Sequence, residues 1–263
     1  MTENIWQAMM PAYEKWAEPT SSRLGGVALE RAAPAPGSKL LDVDARTGGL
    51  AVLAARLGYR VQAVDPTPAM GQRLAERLAE FPGCAGEVMN SLDLTFADNT
   101  FEAAFSLLGA LCYGEETPQA LTQLFRVVRP GGVVSVVQWV DPIGAPIFRL
   151  VARAIDQLDD SAIGRFVPPL SGYLRRSEIE LALSGAGGLD VRSELVEVES
   201  PVPAPEQFMD ELDPIFAMHP QYRAAKERHG ADFRALLTRE ATRLHQDGTP
   251  TAQANLGYAR VAG

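Results

Sequence analysis

The sequence contains few residues of the kinds that build metal sites or disulfides. It has only two cysteines, Cys84 and Cys112, and their spacing is not typical of metal or redox motifs, so we expect reduced thiols in a cytoplasmic protein. The three histidines, at positions 219, 229 and 245, are ten and sixteen residues apart. Neither gap places two of them on one helix turn, so we expect no metal site.

Long hydrophobic runs and an excess of basic residues are also absent. The longest apolar stretch, from Val133 to Val140, is too short to cross a bilayer. The first residues do not contain a basic region followed by an apolar run, so we expect no secretory signal. The chain has 24 Lys and Arg against 33 Asp and Glu, a net charge of −9. An acidic surface repels phosphate backbones and anionic lipids, which makes nucleic acids and membranes poor partners.

The length and composition are those of a globular protein. The 263 residues are 46% hydrophobic and 22% charged, and both values exclude a disordered chain. This length is long for one domain and short for two large ones. We therefore expect one α/β domain of ordinary size with an appended lid.

Short apolar runs alternate with helical segments from residue 39 to residue 140. The apolar runs end in acidic, amide or small residues, and they predict strands at 39–44, 60–65, 86–90, 101–107 and 132–140. Strands and helices that alternate in short units are typical of βαβ crossovers. The pattern therefore predicts a parallel sheet with helices on both faces.

After residue 141 the chain changes to helical segments broken by prolines. We predict N-terminal lid helices at 1–38, a core at 39–140, helical lid or substrate-binding insertions at 141–176 and 203–248, and the C-terminal part of the core sheet at 177–202 and 249–263. An aromatic stripe with helical spacing, which includes Tyr13 and Trp16, lies in the first segment. It indicates either packing against the sheet or a lid helix that closes a pocket.

Several segments of the core together carry a family pattern. Leu41-Asp42-Val43 is followed by Thr47-Gly48, then by Val64-Asp65, and residues 126–132 read Arg-Val-Val-Arg-Pro-Gly-Gly. These segments resemble the class I S-adenosylmethionine-dependent methyltransferases, most closely the branch that alkylates quinones and small natural products. The resemblance implies a Rossmann-like α/β fold of seven strands in the order 3-2-1-4-5-7-6, with an antiparallel last strand and a helical lid. It also implies S-adenosylmethionine as the cofactor.

The resemblance places seven residues where the family contacts its cofactor. These are Tyr13, Asp65, Pro66, Asn90, Ser91, Leu92 and Ser106. It implies that Asp65 binds the ribose diol and that Pro66 and Leu92 flank adenine. Asn90 takes the place of the family's usual Asp and can accept from the adenine amino group through its amide oxygen. The resemblance further implies that the Ser91 backbone N–H contacts the ring, and that Ser106 and Tyr13 line the methionine arm.

The loop after the first predicted strand departs from the family pattern. The family has Asp-x-Gly-x-Gly-x-Gly there, whereas this chain has Asp44 and Arg46 at the first two glycine positions before Thr47 and Gly48. Glycines are used because the backbone lies against the ligand and some positions need a positive φ. Arg46 can pair with the cofactor carboxylate, or it can pair with Asp44 and fill the cavity. The loop therefore predicts either a variant that still binds the cofactor or a scaffold that has lost methyl transfer.

Methyl transfer needs few catalytic groups. The protein mainly holds two reactants in contact and removes one proton from the acceptor. Tyr113 and His219 are the candidates for that acid–base role, and Trp139, Cys112 and Trp16 are candidates for lining the substrate pocket.

Three functions are compatible with the sequence. The first is methyl transfer from S-adenosylmethionine to a small-molecule, natural-product acceptor. The second is a methyltransferase-like enzyme that catalyses a cyclisation, isomerisation or pericyclic rearrangement instead. The third is a non-catalytic scaffold. For each of them we expect a small-molecule ligand rather than a nucleic acid or a membrane, and a homodimer is compatible with all three.

Overall fold

The computed structural model describes residues 3–141, 143–167 and 174–263 of the chain. The described residues form two compact units. The first unit takes in those within 1–20, 141–171 and 197–253, and the second takes in those within 21–140, 172–196 and 254–263. The roles that we assign to the parts of the chain, including that of a lid, stay predictions.

A seven-stranded sheet is the framework of the second unit. Its strands are β1 (Lys39–Val43), β2 (Arg60–Asp65), β3 (Ala85–Val88), β4 (Phe101–Leu107), β5 (Val128–Trp139), β6 (Gly188–Glu199) and β7 (Thr251–Val261). Their order is β3-β2-β1-β4-β5-β7-β6. Along the sheet from β3 through β2, β1 and β4 to β5, each strand is parallel to the next, and β7 is antiparallel to β5. The strand order and the antiparallel last strand confirm the fold that the resemblance predicts.

The helices fall into both units. In chain order they are α1 (Glu3–Trp16), α2 (Glu18–Ala32), α3 (Gly49–Arg56), α4 (Pro68–Leu78), α5 (Thr117–Val127), α6 (Pro146–Asp156), α7 (Arg176–Gly185), α8 (Phe208–Phe216) and α9 (Pro220–Gln246), which is kinked at Gly230. Helices α3, α4, α5 and α7 and most of α2 belong to the second unit, while α1, α6, α8 and α9 belong to the first.

Two glycines let α4 lie directly on the sheet beside the end of β2. A Cβ on Gly86 of β3 would lie 2.4 Å from the carbonyl carbon of Leu74, and a Cβ on Gly71 of α4 would lie 2.4 Å from a methyl group of Val88. Neither position has room for a larger side chain. This close contact holds α4 against β2 and β3, and the end of β2 positions Asp65.

The Arg-Val-Val-Arg-Pro-Gly-Gly segment shapes the start of β5. The strand begins four residues earlier than predicted, at residue 128, because it runs through the two glycines. A Cβ on Gly132 would lie 2.6 Å from the Glu102 carbonyl oxygen, so only glycine fits this close approach to β4. The Arg126 guanidinium donates to the carbonyl oxygens of Leu94 at 2.6 Å and Phe96 at 2.8 Å. It thereby fixes the segment that leads from β3 to β4.

The first unit contains a buried aromatic cluster. The Phe216 ring centroid lies 5.2 Å from that of Phe148 and 5.4 Å from that of Tyr222, and the ring centroids of Phe166 and His219 are 5.1 Å apart. Rings at these separations pack favourably beyond the area that they bury. None of the helices in the described part of the chain combines the length and apolar character that a membrane span requires.

Candidate functional site

The carboxyl ends of β1, β2 and β4 meet at one edge of the sheet and carry polar side chains. Val43, at the end of β1, is opposite Val64 of β2 and Ser106 of β4 in the strand register. Asp65 ends β2, and Asp44 directly follows β1. The strand order reverses between β1 and β4, which is where ligands bind in open α/β sheets. This edge is therefore the candidate functional site.

Two backbone amides hold the carboxylate of Asp65 in place. The residue is 4% exposed, its Oδ1 accepts from the Thr67 N–H at 2.8 Å, and its Oδ2 accepts from the Arg46 N–H at 2.9 Å. A carboxylate oxygen has two lone pairs, so each oxygen can accept one further hydrogen bond. A pair of oxygens held in this way matches the two hydroxyls of a ribose.

The loop after β1 keeps the backbone shape of a glycine-rich loop. The φ angle is 59° at Asp44, 52° at Arg46 and 96° at Gly48. Only glycine adopts these left-handed conformations without strain, and each residue with a Cβ loses about 1–2 kcal/mol. Leu108, in the loop after β4, is also left-handed with a φ of 58°. Three of the seven described residues other than glycine that have a positive φ therefore lie at the reversal point of the sheet, and strain of this kind is common at functional sites.

Asp44 joins the ends of β1 and β4. Its Oδ1 accepts hydrogen bonds from the Ser91 hydroxyl at 2.6 Å and the Tyr113 hydroxyl at 2.8 Å, and these two hydroxyl oxygens are 2.5 Å apart. Its Oδ2 accepts a longer bond, of 3.3 Å, from the Ser106 hydroxyl. A Cβ on Gly109 would lie 2.4 Å from the Asp44 Cβ, so the absence of a side chain there makes room for Asp44.

The surroundings of Asp44 favour its protonated form. Burial raises the pKa of Asp44, while the hydroxyls of Ser91 and Tyr113 act against this increase. The charge of Asp65 raises the pKa further, and the Arg46 guanidinium lowers it with the smallest of these effects. The balance is a carboxyl group that holds its proton to a higher pH than an exposed aspartate.

A second buried carboxyl group lies beneath the same edge. Burial raises the pKa of Asp42 to about 8, opposed by a hydrogen bond to the Ala51 backbone and assisted by the charges of Asp44 and Asp65. Burial, followed by the charge of Asp44, also raises the pKa of Tyr113, which therefore stays a neutral phenol at physiological pH. The edge thus contains two buried carboxyl groups with raised pKa values and one neutral phenol.

The rest of the loop is tied to its neighbours. The Arg46 guanidinium donates to the Leu108 carbonyl at 3.2 Å, and the Arg77 guanidinium of α4 donates to the carbonyl of Thr47 at 2.6 Å. A Cβ on Gly48 would lie 2.9 Å from a methyl group of Leu74. The sequence left open whether Asp44 and Arg46 fill the cavity as a pair. The structure shows that Asp44 accepts from hydroxyl groups and that the charge of Arg46 acts on it, and the pairing itself stays a prediction.

The residues predicted to contact adenine follow β2 and β3. Pro66 is exposed directly after Asp65, and Asn90 is exposed after β3. The Asn90 side-chain oxygen accepts from the Leu92 N–H at 2.9 Å, which leaves that oxygen one further acceptor position. Ser91 is buried and points its hydroxyl at Asp44. Their contacts with adenine stay predictions.

The remaining candidates are divided between the two units. Cys112, next to Tyr113, accepts a hydrogen bond from Gln138 at 3.0 Å, and Trp139 is half-buried at the end of β5. Tyr13, Trp16 and His219 belong to the first unit. The Trp16 indole donates to Glu211 at 3.1 Å within that unit.

His219 is a weak base in its surroundings. Burial, with the charge of Arg223 as a smaller cause, lowers its pKa to about 4. The imidazole is therefore neutral at physiological pH, and its low basicity favours a packing role in the aromatic cluster. Its catalytic role stays a prediction.

Two residues at the site were not singled out from the sequence. Asp42 interrupts an apolar strand, which is a signal that a buried carboxyl group has a function. Gly109 follows β4, but no local pattern reveals that Asp44 packs against it. Within the described ranges, no three His, Cys, Asp or Glu side chains are placed to hold a metal ion, and both cysteines are free thiols.

Comparison with known proteins identifies relatives of the core. Residues 40–132 match the model of a family described as a methyltransferase domain. A demethylmenaquinone methyltransferase from Corynebacterium kroppenstedtii is 33% identical over 136 residues, which cover 52% of this chain and 53% of that protein. The chain spans about half the length of the curated relatives that it matches.

Solved structures share the fold at low sequence identity. A phosphoethanolamine N-methyltransferase of Haemonchus contortus, in complex with S-adenosylhomocysteine, aligns with a TM-score of 0.57 and 19% identity over 92% of this chain and 53% of that one. The [4+2]-cyclase SpnF aligns with a TM-score of 0.54 and 20% identity over 92% of this chain and 81% of that one. These likenesses establish the fold.

Proposed function

We propose that the chain is a class I S-adenosylmethionine-dependent methyltransferase that transfers a methyl group to a small-molecule acceptor, of the kind found in natural-product pathways. The match of residues 40–132 to the methyltransferase-domain model supports this proposal. The cofactor of this family is S-adenosylmethionine, which supplies a methyl group activated by the positive charge on its sulfur. One observation carries the proposal: the buried Asp65 carboxylate, held by two backbone amides beside a loop of left-handed backbone.

The nucleoside half of the cofactor fits the residues at the edge. Asp65 has an acceptor position on each oxygen for the two ribose hydroxyls, and the left-handed loop lets its backbone lie against a ligand. Asn90 has an acceptor position for the adenine amino group, and Pro66 and Leu92 offer apolar surface to the ring. These residues are our assignment for adenosine binding.

We propose that the amino-acid half of the cofactor contacts the loop after β1, where Asp44 and Arg46 replace glycines. We assign the Arg46 guanidinium to the cofactor carboxylate, because arginine forms charge-assisted, bidentate hydrogen bonds with carboxylates. Ser106 lies at the end of β4, where the arm would pass, and Thr47 and Gly48 supply the backbone beside it. Tyr13 is our further candidate for covering the arm.

Tyr113 is our candidate for the proton of the acceptor. Its hydroxyl is half-buried and donates to the buried carboxylate of Asp44. A phenol with a raised pKa does not ionise readily, so Tyr113 can take a proton from an acceptor only while it passes its own to Asp44, and this requires Asp44 to be in its ionised form. Cys112, Trp16 and Trp139 stay candidates for lining the acceptor pocket, and His219 stays a second candidate for the acid–base role.

Titration calorimetry with S-adenosylmethionine and S-adenosylhomocysteine tests the proposal. We expect both compounds to bind the wild-type protein and a methyl group labelled with tritium to pass from S-adenosylmethionine into small phenols, alcohols or amines offered as a panel. The exposed Glu80 offers a control variant, Glu80→Ala, that keeps full binding. A protein that binds neither compound would contradict the proposal.

A second candidate function rests on the position of Asp44. This side chain spans the gap between β1 and β4 at the first glycine position of the family loop. If it excludes the cofactor, the chain is an enzyme that promotes a cyclisation or rearrangement without methyl transfer, and the fold of the cyclase SpnF is compatible with that activity. In that case the wild type binds no S-adenosylmethionine, while the double variant Asp44→Gly, Arg46→Gly gains binding.

A further inference from the structure

Asp44 is close to the place that we assign to the ribose of the cofactor. In S-adenosylmethionine the charged sulfur is bonded to C5′ of the ribose, so it lies about the length of one sugar ring from the group that holds the ribose hydroxyls. Asp65 ends β2, and Asp44 follows the neighbouring strand β1. Neighbouring strands are about 4.8 Å apart, so a ribose on Asp65 places the sulfur within reach of the Asp44 carboxyl group.

The burial and the contacts of Asp44 are compatible with a protonated carboxyl group when no cation is present. Asp44 Oδ1, Ser91 Oγ and Tyr113 Oη form a triangle with sides of 2.6, 2.8 and 2.5 Å, each short enough for a hydrogen bond. When both hydroxyls donate to an ionised Asp44, no proton remains between the two hydroxyl oxygens. When Asp44 is protonated, it can donate to one hydroxyl, whose own proton then serves the contact with the other.

A positively charged ligand would change the protonation equilibrium of Asp44. Four other titratable or charged groups act on Asp44: the carboxyl groups of Asp42 and Asp65, the Arg46 guanidinium and the Tyr113 phenol. Of these, only Arg46 carries a positive charge, and its guanidinium donates to the Leu108 carbonyl. A sulfonium beside Asp44 would favour the ionised carboxylate, whereas the neutral thioether left after methyl transfer would not.

We infer that Asp44 makes the site selective for the charge of its ligand, so that the sulfonium of S-adenosylmethionine binds in preference to the thioether of S-adenosylhomocysteine and a proton leaves Asp44 as it binds. The inference rests on the proposed function, because it requires the adenosyl ligand to occupy this edge. Because S-adenosylhomocysteine would bind more weakly than S-adenosylmethionine, Asp44 favours exchange of the product for fresh cofactor.

Calorimetry can measure both the preference and the proton. Each ligand is titrated into the wild type in buffers with different enthalpies of ionisation, from about pH 5 to about pH 9, so that the heat reports the protons released. We expect S-adenosylmethionine to bind about tenfold more tightly than S-adenosylhomocysteine and to release a proton that S-adenosylhomocysteine does not release. The preference is lost as the pH falls, because the neutral form of Asp44 then persists.

Two variants isolate the charge. Asp44→Asn keeps the shape of the side chain and removes its charge, so the two affinities become equal and the proton release disappears. Asp190→Asn is the matched control, because Asp190 is exposed and also has a positive φ of 50°. Binding of 5′-methylthioadenosine, which has no amino-acid arm, establishes that the Asp44→Asn protein keeps the nucleoside half of its site.

The outcomes separate this inference from the proposed function. Equal affinities in the wild type, or S-adenosylmethionine binding without proton release anywhere in the pH range, overturn the role of Asp44 and leave the methyltransferase proposal intact. Binding that appears only in Asp44→Gly also overturns it, because Asp44 then blocks the site. If neither the wild type nor Asp44→Gly binds an adenosyl compound, both proposals are wrong. The wild-type measurement alone decides the question if Asp44→Asn does not fold.

Discussion

Asp65 and Asp44 are buried carboxyl groups on neighbouring strands, but the chain holds them in different ways. Asp65 accepts from two backbone amides, those of Thr67 and Arg46. Asp44 accepts only from side-chain hydroxyls in the bonds described above. Backbone amides are fixed donors that cannot be turned away, whereas hydroxyl protons rotate and can be passed on. The carboxylate of Asp65 is therefore a rigid acceptor, whereas the hydroxyl partners of Asp44 can adapt to either protonation state of its carboxyl group.

This difference follows from where the partners lie along the chain. The amide of Thr67 is two residues from Asp65, and its bond is a local turn that also precedes α4. The hydroxyls of Ser91, Ser106 and Tyr113 are 47, 62 and 69 residues from Asp44. Only the assembled sheet brings them together, so the state of Asp44 depends on the whole core.

The largest effect that we expect comes from removing the rigid carboxylate. Asp65→Ala removes the two hydrogen bonds that we propose to the ribose, each worth about 1.5–3 kcal/mol for a charged acceptor. Calorimetry is therefore expected to show at least a hundredfold loss of affinity for S-adenosylmethionine and for 5′-methylthioadenosine alike. Equal affinity in the variant and the wild type would remove Asp65 from the site.

The buried carboxyl group of Asp42 makes the free energy of unfolding depend on pH. Because the pKa of Asp42 is raised to about 8, the folded state holds a proton that the unfolded state releases above about pH 4. The contribution of Asp42 to the free energy of unfolding is therefore fully present below about pH 4 and is lost as the pH rises toward 8, by an amount on the order of a few kcal/mol. Urea unfolding across this range measures the fall, and Asp42→Asn reduces it. Parallel pH profiles for variant and wild type would contradict this prediction.

The sequence predicts the surroundings of Asp65 better than those of Asp44. The strand order was predicted only from the family resemblance, whereas local periodicity predicted the bounds of β4 and the place of Asp65 at the end of β2. The start of β5 was predicted four residues late, because Pro-Gly-Gly is typical of a turn. In the structure those glycines instead allow the strand to approach β4 closely.

The partners of Asp44 could not be predicted in the same way. From the sequence, an acidic residue at a glycine position is compatible with pairing to Arg46 or with contact to a ligand. Which of these occurs depends on side chains that reach the same point from β4 and from the segments after β3 and β4. Long-range contacts of this kind leave no periodic signal, so the positive φ of Asp44 and its hydroxyl partners became evident only in the fold.

The packing of Asp44 against Gly109 gives a test of its position. In Gly109→Ala the new methyl group would lie 2.4 Å from the Asp44 side chain, and overpacking of this kind costs about 1–3 kcal/mol. We expect this loss in the wild-type background and much less of it in Asp44→Gly, where the clash is gone. Urea unfolding of the two single variants and the double variant measures the coupling. Additive effects would show that the two residues are not in contact.

The smallest effect that we expect concerns the hydroxyl of Tyr113. Tyr113→Phe removes one donor to Asp44 and costs about 1 kcal/mol of stability, the usual contribution of one hydrogen bond. Because this hydroxyl lowers the pKa of Asp44, its loss raises that pKa further, and proton release on binding S-adenosylmethionine moves to higher pH. Tyr59→Phe is the matched control, since its hydroxyl donates to the Pro34 carbonyl, away from the site. If both variants lose the same stability while proton release stays at its original pH in each, Tyr113 only packs beside Asp44 and does not share its proton.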